Sequence, residues 1–416
     1  MSDHSSADAL PRQPKPDAIL KGIRILEIGN EIGQLCGKLL AELGADVVKV
    51  EPPHGSSVRR AGPFLHDSHD KNQSLSFWHY NTSKRSITLD LEDDAARDIL
   101  RDLALGADVV LDSLAPGEME QLGAGYDSLA ADQPAVIYCS ITPFGSEGPW
   151  ARYQSSDLVQ LALGGVMAGA GYNDVAEAPP IAPTGGHSWH LASLYAANAI
   201  AMALFHRLRG GGGQHIDIAV HDCVAVTTES SFFFYAYNGR VPQRQTGRHA
   251  LVELMPPQNH RTSDGRYINA LMVAVDTRRW VQVVALLQEF DPEEAEDLAD
   301  DIYLIPEILQ ERMWHVSEVI GRFIVRHTAE EIYRRAQARK LPWSPIRAVE
   351  DFQDDPHLRD DRQFFQQVQH PELDESYVYT GAILRFSRTP FELRRRAPTL
   401  GEHNGQNLGS SWMVKE

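Results

Sequence analysis

Residues 22–51 confine this chain to a narrow set of folds. IRILEI is an apolar run rich in β-branched residues, GQLCGKLLAELG carries its apolar residues at helical spacing and ends in Gly44, and ADVVKVE is a second apolar run. A strand, a helix and a strand joined this tightly pack as a right-handed βαβ unit with parallel strands. The alternation continues with RSITLDL as a strand, DDAARDILRDLAL as a helix capped by Asp93, and ADVVLDS and AVIYCSI as strands. The pattern predicts an α/β fold with a Rossmann-like layered sheet.

A chain of 416 residues exceeds one ordinary core, so two domains are expected. From Trp189 to Arg209 the sequence lacks Pro and Gly, is rich in Ala and Leu, and ends in cations before Gly210 to Gly213. That composition predicts a long buried helix with a sharp stop, followed by the strand HIDIAV. Between Val241 and Arg261 the chain turns polar and carries Pro242, Pro256 and Pro257, which predicts a crossing between domains before the strand DGRYINALMV. The acidic stretch Asp291 to Asp301 reads as a solvated surface. The expected organisation is a disordered leader over 1–19, a large domain over 20–225, a smaller α+β domain with linkers over 226–345, and a segment over 346–416 that returns to the large domain.

No apolar run approaches the roughly 18 residues that a membrane span needs, and the N-terminus lacks a basic region followed by an apolar one. A cytoplasmic protein that does not cross a membrane is expected. Cys36, Cys139 and Cys223 sit in apolar segments without CxxC or Cys/His spacing, which predicts buried thiols and no metal. A formal net charge of −18 repels polyanions, and the runs Arg59-Arg60 and Arg394-Arg395-Arg396 are too short to reverse it, so nucleic acid is not an expected partner.

Several blocks recur in a fixed order: LKGIRILEIGNEIGQLCGKLLAELGADVVKVEPPHG, NTSKRSITLDL, ADVVLDSLAPGEMEQLG, IYCSITPFGSEGPW, GGGGQHIDIAVHD, SDGRYI, LPWSPIRAVEDFQDDPHLRDD and APTLGEHN. Together they resemble the class III CoA-transferase family, the carnitine dehydratase and bile-acid-inducible type, from about residue 20 to 408. The resemblance implies a large Rossmann-like domain built from both chain ends, a smaller inserted domain, and two subunits interlocked like links of a chain. It implies an acyl-CoA thioester as substrate, with a carboxylic acid as the acceptor and no permanently bound cofactor. Carried over by position, the CoA-binding residues are Ile32, Leu89, Leu91, Ser113 and Leu114, with core packing the competing role for Leu89 and Leu91. Cationic positions of some relatives are Pro52, Glu92 and Gln121 here, which weakens the expected grip on the CoA phosphates.

In the family's transferases an aspartate before the long helix attacks the thioester carbonyl. Counted back through the helix, its position falls on Trp189, and Pro183 to Leu194 contains no Asp or Glu. The family's racemases use a His-Asp pair whose equivalent here is Ser156-Asp157, so that histidine is absent too. Asp157 is expected to be a helix N-cap unless it takes part in chemistry. His187 and His190, beside Gly185 and Gly186, have the residue type for proton transfer on an acyl-CoA, against a plain polar role at a helix start. His221-Asp222-Cys223 is adjacent in sequence rather than convergent, which favours a structural role. Glu229, Arg248 and His249 are candidates for facing a cleft, and Phe232-Phe233-Phe234-Tyr235 for lining a pocket for a bulky or ring-bearing acyl group.

Three functions follow. The chain is a CoA-transferase that works without the usual aspartate, an acyl-CoA hydratase or isomerase using histidine, or a silent subunit paired with an active paralogue. The partner chain is accordingly a second copy or a paralogue.

Overall fold

The computed structural model describes residues 18–228, 231–270, 277–406 and 412. Residues 1–17 of the expected leader, Glu229, and the last three residues of DGRYINALMV lie outside the described residues. The chain divides into two compact units, one made of 1–160, 184–226 and 356–416, the other of 161–183 and 227–355.

The first unit is built on a six-stranded sheet. Its strands are β1 (Arg24–Gly29), β2 (Asp46–Glu51), β3 (Arg85–Thr88), β4 (Val109–Ser113), β5 (Ile137–Thr142) and β6 (Gln214–Ala219). They lie in the order β3-β2-β1-β4-β5-β6, and every pairing is parallel. Parallel strands need crossovers, and these are supplied by α1 (Gln34–Glu42), α2 (Leu75–Tyr80), α3 (Asp94–Gly106), α4 (Glu118–Gln121), α5 (Tyr126–Asp132), α6 (Asp157–Leu163) and α7 (His187–Leu208), with α8 (Val220–Ala225) after β6. The order reverses beside β1, which opens a crevice at the carboxyl ends of β1 and β4.

Helix α7 corrects the expectation of a long buried helix. Its buried face is the narrow stripe Ser188, Ala192, Ser193, Ala196, Ile200 and Ala203, small side chains that let it approach α1 and the sheet closely. Met202, Phe205 and Leu208 are exposed, at 66%, 60% and 84%. By length and composition alone α7 is apolar enough to cross a membrane, which no run had been expected to be. The small-residue face packs onto α1, β5 and β6, while the exposed apolar side chains lie on its other faces.

The second unit has its own core. It contains α9 (Ser231–Asn238), a three-stranded antiparallel sheet of β7 (Asn259–Arg261), β8 (Tyr267–Asn269) and β9 (Ser344–Ile346), and the helices α10 (Thr277–Phe290), α11 (Pro292–Glu296), α12 (Pro306–Glu311), α13 (Met313–Ile324) and α14 (Ala329–Ala338). Trp280, Leu287, Val316, Phe323, Ile332 and Trp343 pack together there, each at most 1% exposed.

The chain then returns to the first unit as a hairpin, β10 (Phe365–His370) and β11 (Glu375–Thr380), which packs Val368 and Tyr379 against Val58, Phe77 and Trp78. Near the C-terminus Trp412 is buried in the sheet's core, and its indole N–H donates to Asp46 at 3.0 Å. All three cysteines are free and buried.

Candidate functional site

Two places in the first unit gather the residues that the sequence singles out. The first is the crevice at the strand ends, a cavity of about 1110 Å³. Its walls come from the ends of β1 and β2 and the loops after β3 and β4, and include Leu89, Leu91 and Leu114. These three leucines also pack on the core beneath, the competing role foreseen for Leu89 and Leu91. Gly29, at φ +124, lies on the same wall, where a Cβ would come within 2.3 Å of Ser113 Oγ.

Ile32 and Ser113 are placed differently. They are 5% and 3% exposed and are not among the residues lining the cavity. The Ser113 hydroxyl accepts from the Asn30 amide at 3.1 Å, which ties the β1 loop to the end of β4. The Ile32 amide donates to the Asn30 side chain at 3.1 Å, and its carbonyl accepts from the Ser193 hydroxyl at 2.8 Å. Both residues thus shape the loop rather than face the cavity.

The charge on this cavity is acidic. Asp90, Glu92 and Glu118 line it, with Pro52, His54 and Gln121, and the cation among the lining residues is Arg97. Arg97 is already engaged, donating to the Leu91 and Glu92 carbonyls at 2.7 and 3.3 Å and to Asp94 at 3.0 Å. Asp112, at the end of β4, takes hydrogen bonds from the Leu114 amide at 2.8 Å and the Tyr138 hydroxyl at 2.9 Å. Burial pushes its carboxyl up to about 6 despite those bonds.

The second place is the start of α7. Gly185 and Gly186 both adopt positive φ, at +112 and +68, and turn the chain into the helix. A Cβ on Gly186 would make only an ordinary contact with the Trp189 indole, at 3.6 Å, so the positive φ is what favours glycine there. Asp157 caps a helix, though not the one it begins. The cap of α6 is Ser156, whose hydroxyl accepts from the Val159 amide at 3.3 Å. Asp157 Oδ1 instead accepts from the Ser188 amide at 2.9 Å and the Ser188 hydroxyl at 2.5 Å, so its carboxylate caps α7.

His190 is joined to Tyr80 on α2, with 2.6 Å between Nε2 and the phenol oxygen. Burial first, and then the negative charge of Asp157, keep the Tyr80 phenol above its usual range, so it stays protonated. Burial and the His187 charge lower His190, against the opposite pull of Asp157, which disfavours the imidazolium; Nε2 is engaged by the phenol in either tautomer. His187 lies at right angles to it, with the ring centroids 6.2 Å apart. The Tyr80 partnership was not legible in the sequence, because α2 lies 110 residues away from His190.

Other candidates fall elsewhere. His221, Asp222 and Cys223 are consecutive residues of the short helix α8. Arg248 and His249 line a separate cavity within the second unit. Phe232, Phe233 and Tyr235 on α9, expected in a core, a subunit interface or an acyl pocket, are 64%, 57% and 63% exposed, so they do not belong to the core of this chain. Among the described residues no group of three His, Cys, Asp or Glu side chains is arranged to hold a metal ion.

The family model described as CoA-transferase family III matches residues 20–404. The succinyl-CoA:(R)-benzylsuccinate CoA-transferase subunit BbsE of Thauera aromatica is 31% identical over 92% of each chain. The succinyl-CoA:mesaconate CoA-transferase of Haloarcula hispanica is 31% identical over 94% of this chain and 95% of its own. A crystal structure of a CAIB/BAIF family protein from Brucella suis superposes with a TM-score of 0.74 at 28% identity, covering 95% of this chain and all of the other.

Proposed function

This chain belongs to CoA-transferase family III, an enzyme family that uses CoA thioesters, and on that premise we propose that it serves CoA transfer between an acyl-CoA and a dicarboxylic acid without an aspartyl nucleophile of its own. The observation that carries this reading is the start of α7, where Trp189 holds the nucleophile's position. Indole has neither a lone pair available for attack nor useful acid-base chemistry. The carboxylate that does reach this helix end, Asp157, is held by two hydrogen bonds from Ser188. A carboxylate oxygen so engaged by two donors at a helix N-terminus is less available to attack a thioester.

The covalent step then falls to a paralogous chain that retains the aspartate, and this chain pairs with it as the non-nucleophilic subunit of a heterodimer. Its relative in Thauera aromatica is itself named as a subunit. The acidic cavity at the strand ends, short of free cations, fits a chain that leaves the tightest hold on CoA to its partner. The dicarboxylic acid follows from the chemistry named for the two relatives, since benzylsuccinate and mesaconate each carry two carboxyl groups. Substrates of this kind suit the cytoplasmic location expected from the sequence.

The test is CoA exchange by the purified chain, alone and co-purified with its paralogue, with product acyl-CoAs read by mass spectrometry. Hydroxylamine trapping then locates the acyl group. Exchange confined to the pair, with the hydroxamate on the paralogue, is expected. Exchange by this chain alone, with the hydroxamate on its own sequence, overturns the reading. A second reading, hydration or isomerisation through a histidine, draws on the Tyr80–His190 contact, and in that case the donor's own acyl group changes with no added acid.

A further inference from the structure

The second unit holds a cavity of about 900 Å³ that no step above uses. We propose that it is the recognition site for a free carboxylate, the second carboxyl group of a dicarboxylic acid, with Arg248 as the cation that reads it. The identity of the acid rests on the functional reading above, whereas the site itself rests on the geometry below.

Arg248 lines this cavity with its Nε buried and without a hydrogen-bond partner. Among the described residues its guanidinium makes no ion pair, and its one neighbour of note is the Trp314 ring, with 5.9 Å from Cζ to the centroid. Buried donors are ordinarily satisfied, and a guanidinium left open to a cavity is an anomaly that a planar anion resolves. Carboxylate matches the fork of N–H donors in two-point geometry, which a point cation does not. An aromatic face behind a guanidinium holds its plane without consuming its donors.

The segment that carries Arg248 is braced before any ligand arrives. Gln243 and Leu251 form an antiparallel bridge across it. The buried Gln245 amide spans the same segment, donating to the Glu253 carbonyl at 2.7 Å and accepting from the Met255 amide at 2.8 Å. Gly247, at φ +64, sets the turn immediately before Arg248, and a Cβ there would press to 3.3 Å on the Asn259 Nδ2. Asn259 uses its oxygen to accept from Asn269 at 2.7 Å, which turns its NH2 into a second donor beside the arginine. Asp174 lines the cavity as well; its carboxylate accepts from the Thr246 hydroxyl and makes no direct ion pair with Arg248, although its charge is felt by the guanidinium. A donor pair held on a preformed turn recognises its ligand with little ordering cost.

Calorimetric titration of the full chain, in its complex with the paralogue, tests the site directly. The probes are benzylsuccinate and mesaconate, with 4-phenylbutyrate as a monocarboxylate and inorganic phosphate as an alternative anion. Wild type is expected to bind the two dicarboxylates in preference to both controls. R248M should weaken the dicarboxylates by about ten- to a hundredfold, the range set by loss of a charge-assisted hydrogen bond. R248K should fall between the two, and 4-phenylbutyrate binding should not change. Equal binding of dicarboxylates by wild type and R248M, or phosphate binding as tight as theirs, overturns the site. The two claims separate cleanly: exchange that persists with an unchanged KM for the acid in R248M sinks the site and spares the function, while Arg248-dependent binding without exchange does the reverse.

Discussion

Arg59 clasps Glu51 at two points, Nε to Oε2 at 2.7 Å and Nη2 to Oε1 at 2.8 Å, with both side chains essentially sealed from solvent. The pair joins the end of β2 to the following loop, and the same guanidinium lies 3.7 Å over the Phe77 ring and donates to the Pro398 carbonyl at 3.1 Å. One charge therefore holds the β2 end, α2 and the returning C-terminal segment together.

Breaking that clasp leaves a buried charge alone. R59A is expected to destabilise the chain by about 3–5 kcal/mol, measured by urea unfolding at neutral pH. Burial pushes the Glu51 carboxyl up, but the Arg59 hydrogen bonds and charge, helped by Lys49 and Ser86, more than reverse this and hold it at about 2. A folded value below the unfolded one means that the unfolded chain binds more protons between the two. The stabilisation is thus complete above about 4.5 and is lost as pH falls toward about 2. Wild type and R59A should therefore converge in stability over that window, and a gap that stays constant would show that Glu51 is not the group concerned.

Restoring the carboxylate asks whether only the nucleophile is missing. W189D is expected to give an acyl group that hydroxylamine can trap on this chain, where wild type gives none. A folded W189D that traps nothing would mean that the surrounding pocket has diverged as well.

His190 distinguishes proton transfer from scaffolding. Since its Nε2 is occupied by the Tyr80 hydroxyl, H190A should change exchange by the paired enzyme less than about threefold, well short of the roughly hundredfold that general acid-base catalysis contributes. A loss of two orders of magnitude, with Y80F shifting the pH profile, would restore the histidine to the chemistry.

The acidic cavity at the strand ends can be made cationic. E92K and Q121K, placed at two positions where some relatives carry cations, should each tighten CoA binding by roughly two- to fivefold, an effect that fades as salt rises. Titration calorimetry at two ionic strengths reads this, and affinity that ignores both substitutions would place the CoA phosphates elsewhere.

Much of the scaffold was written locally. Largely apolar runs of strand length, separated by a helical repeat and glycine stops, set the βαβ pattern of β1, α1 and β2 before any tertiary contact was known, because burial on both faces of a parallel strand leaves a mostly apolar signature, broken here by the buried Glu27–Lys49 pair. The family, and the want of an aspartate at Trp189, were likewise legible, since both are matters of residue identity in order. Where each side chain points was not. Asp157 read as a helix cap, but only the fold shows that the helix is α7, because it brings two helix starts together across 31 residues. Helix α7 looked buried throughout, whereas only its stripe of small residues is, since composition does not say which face meets a sheet. The Tyr80–His190 contact joins positions 110 residues apart, and the open guanidinium of Arg248 is visible only once its surroundings are folded. Sequence determined the elements and the family. Tertiary structure alone decided which groups are satisfied and which remain free, because hydrogen bonds and desolvation depend on neighbours in space and not on neighbours in the chain.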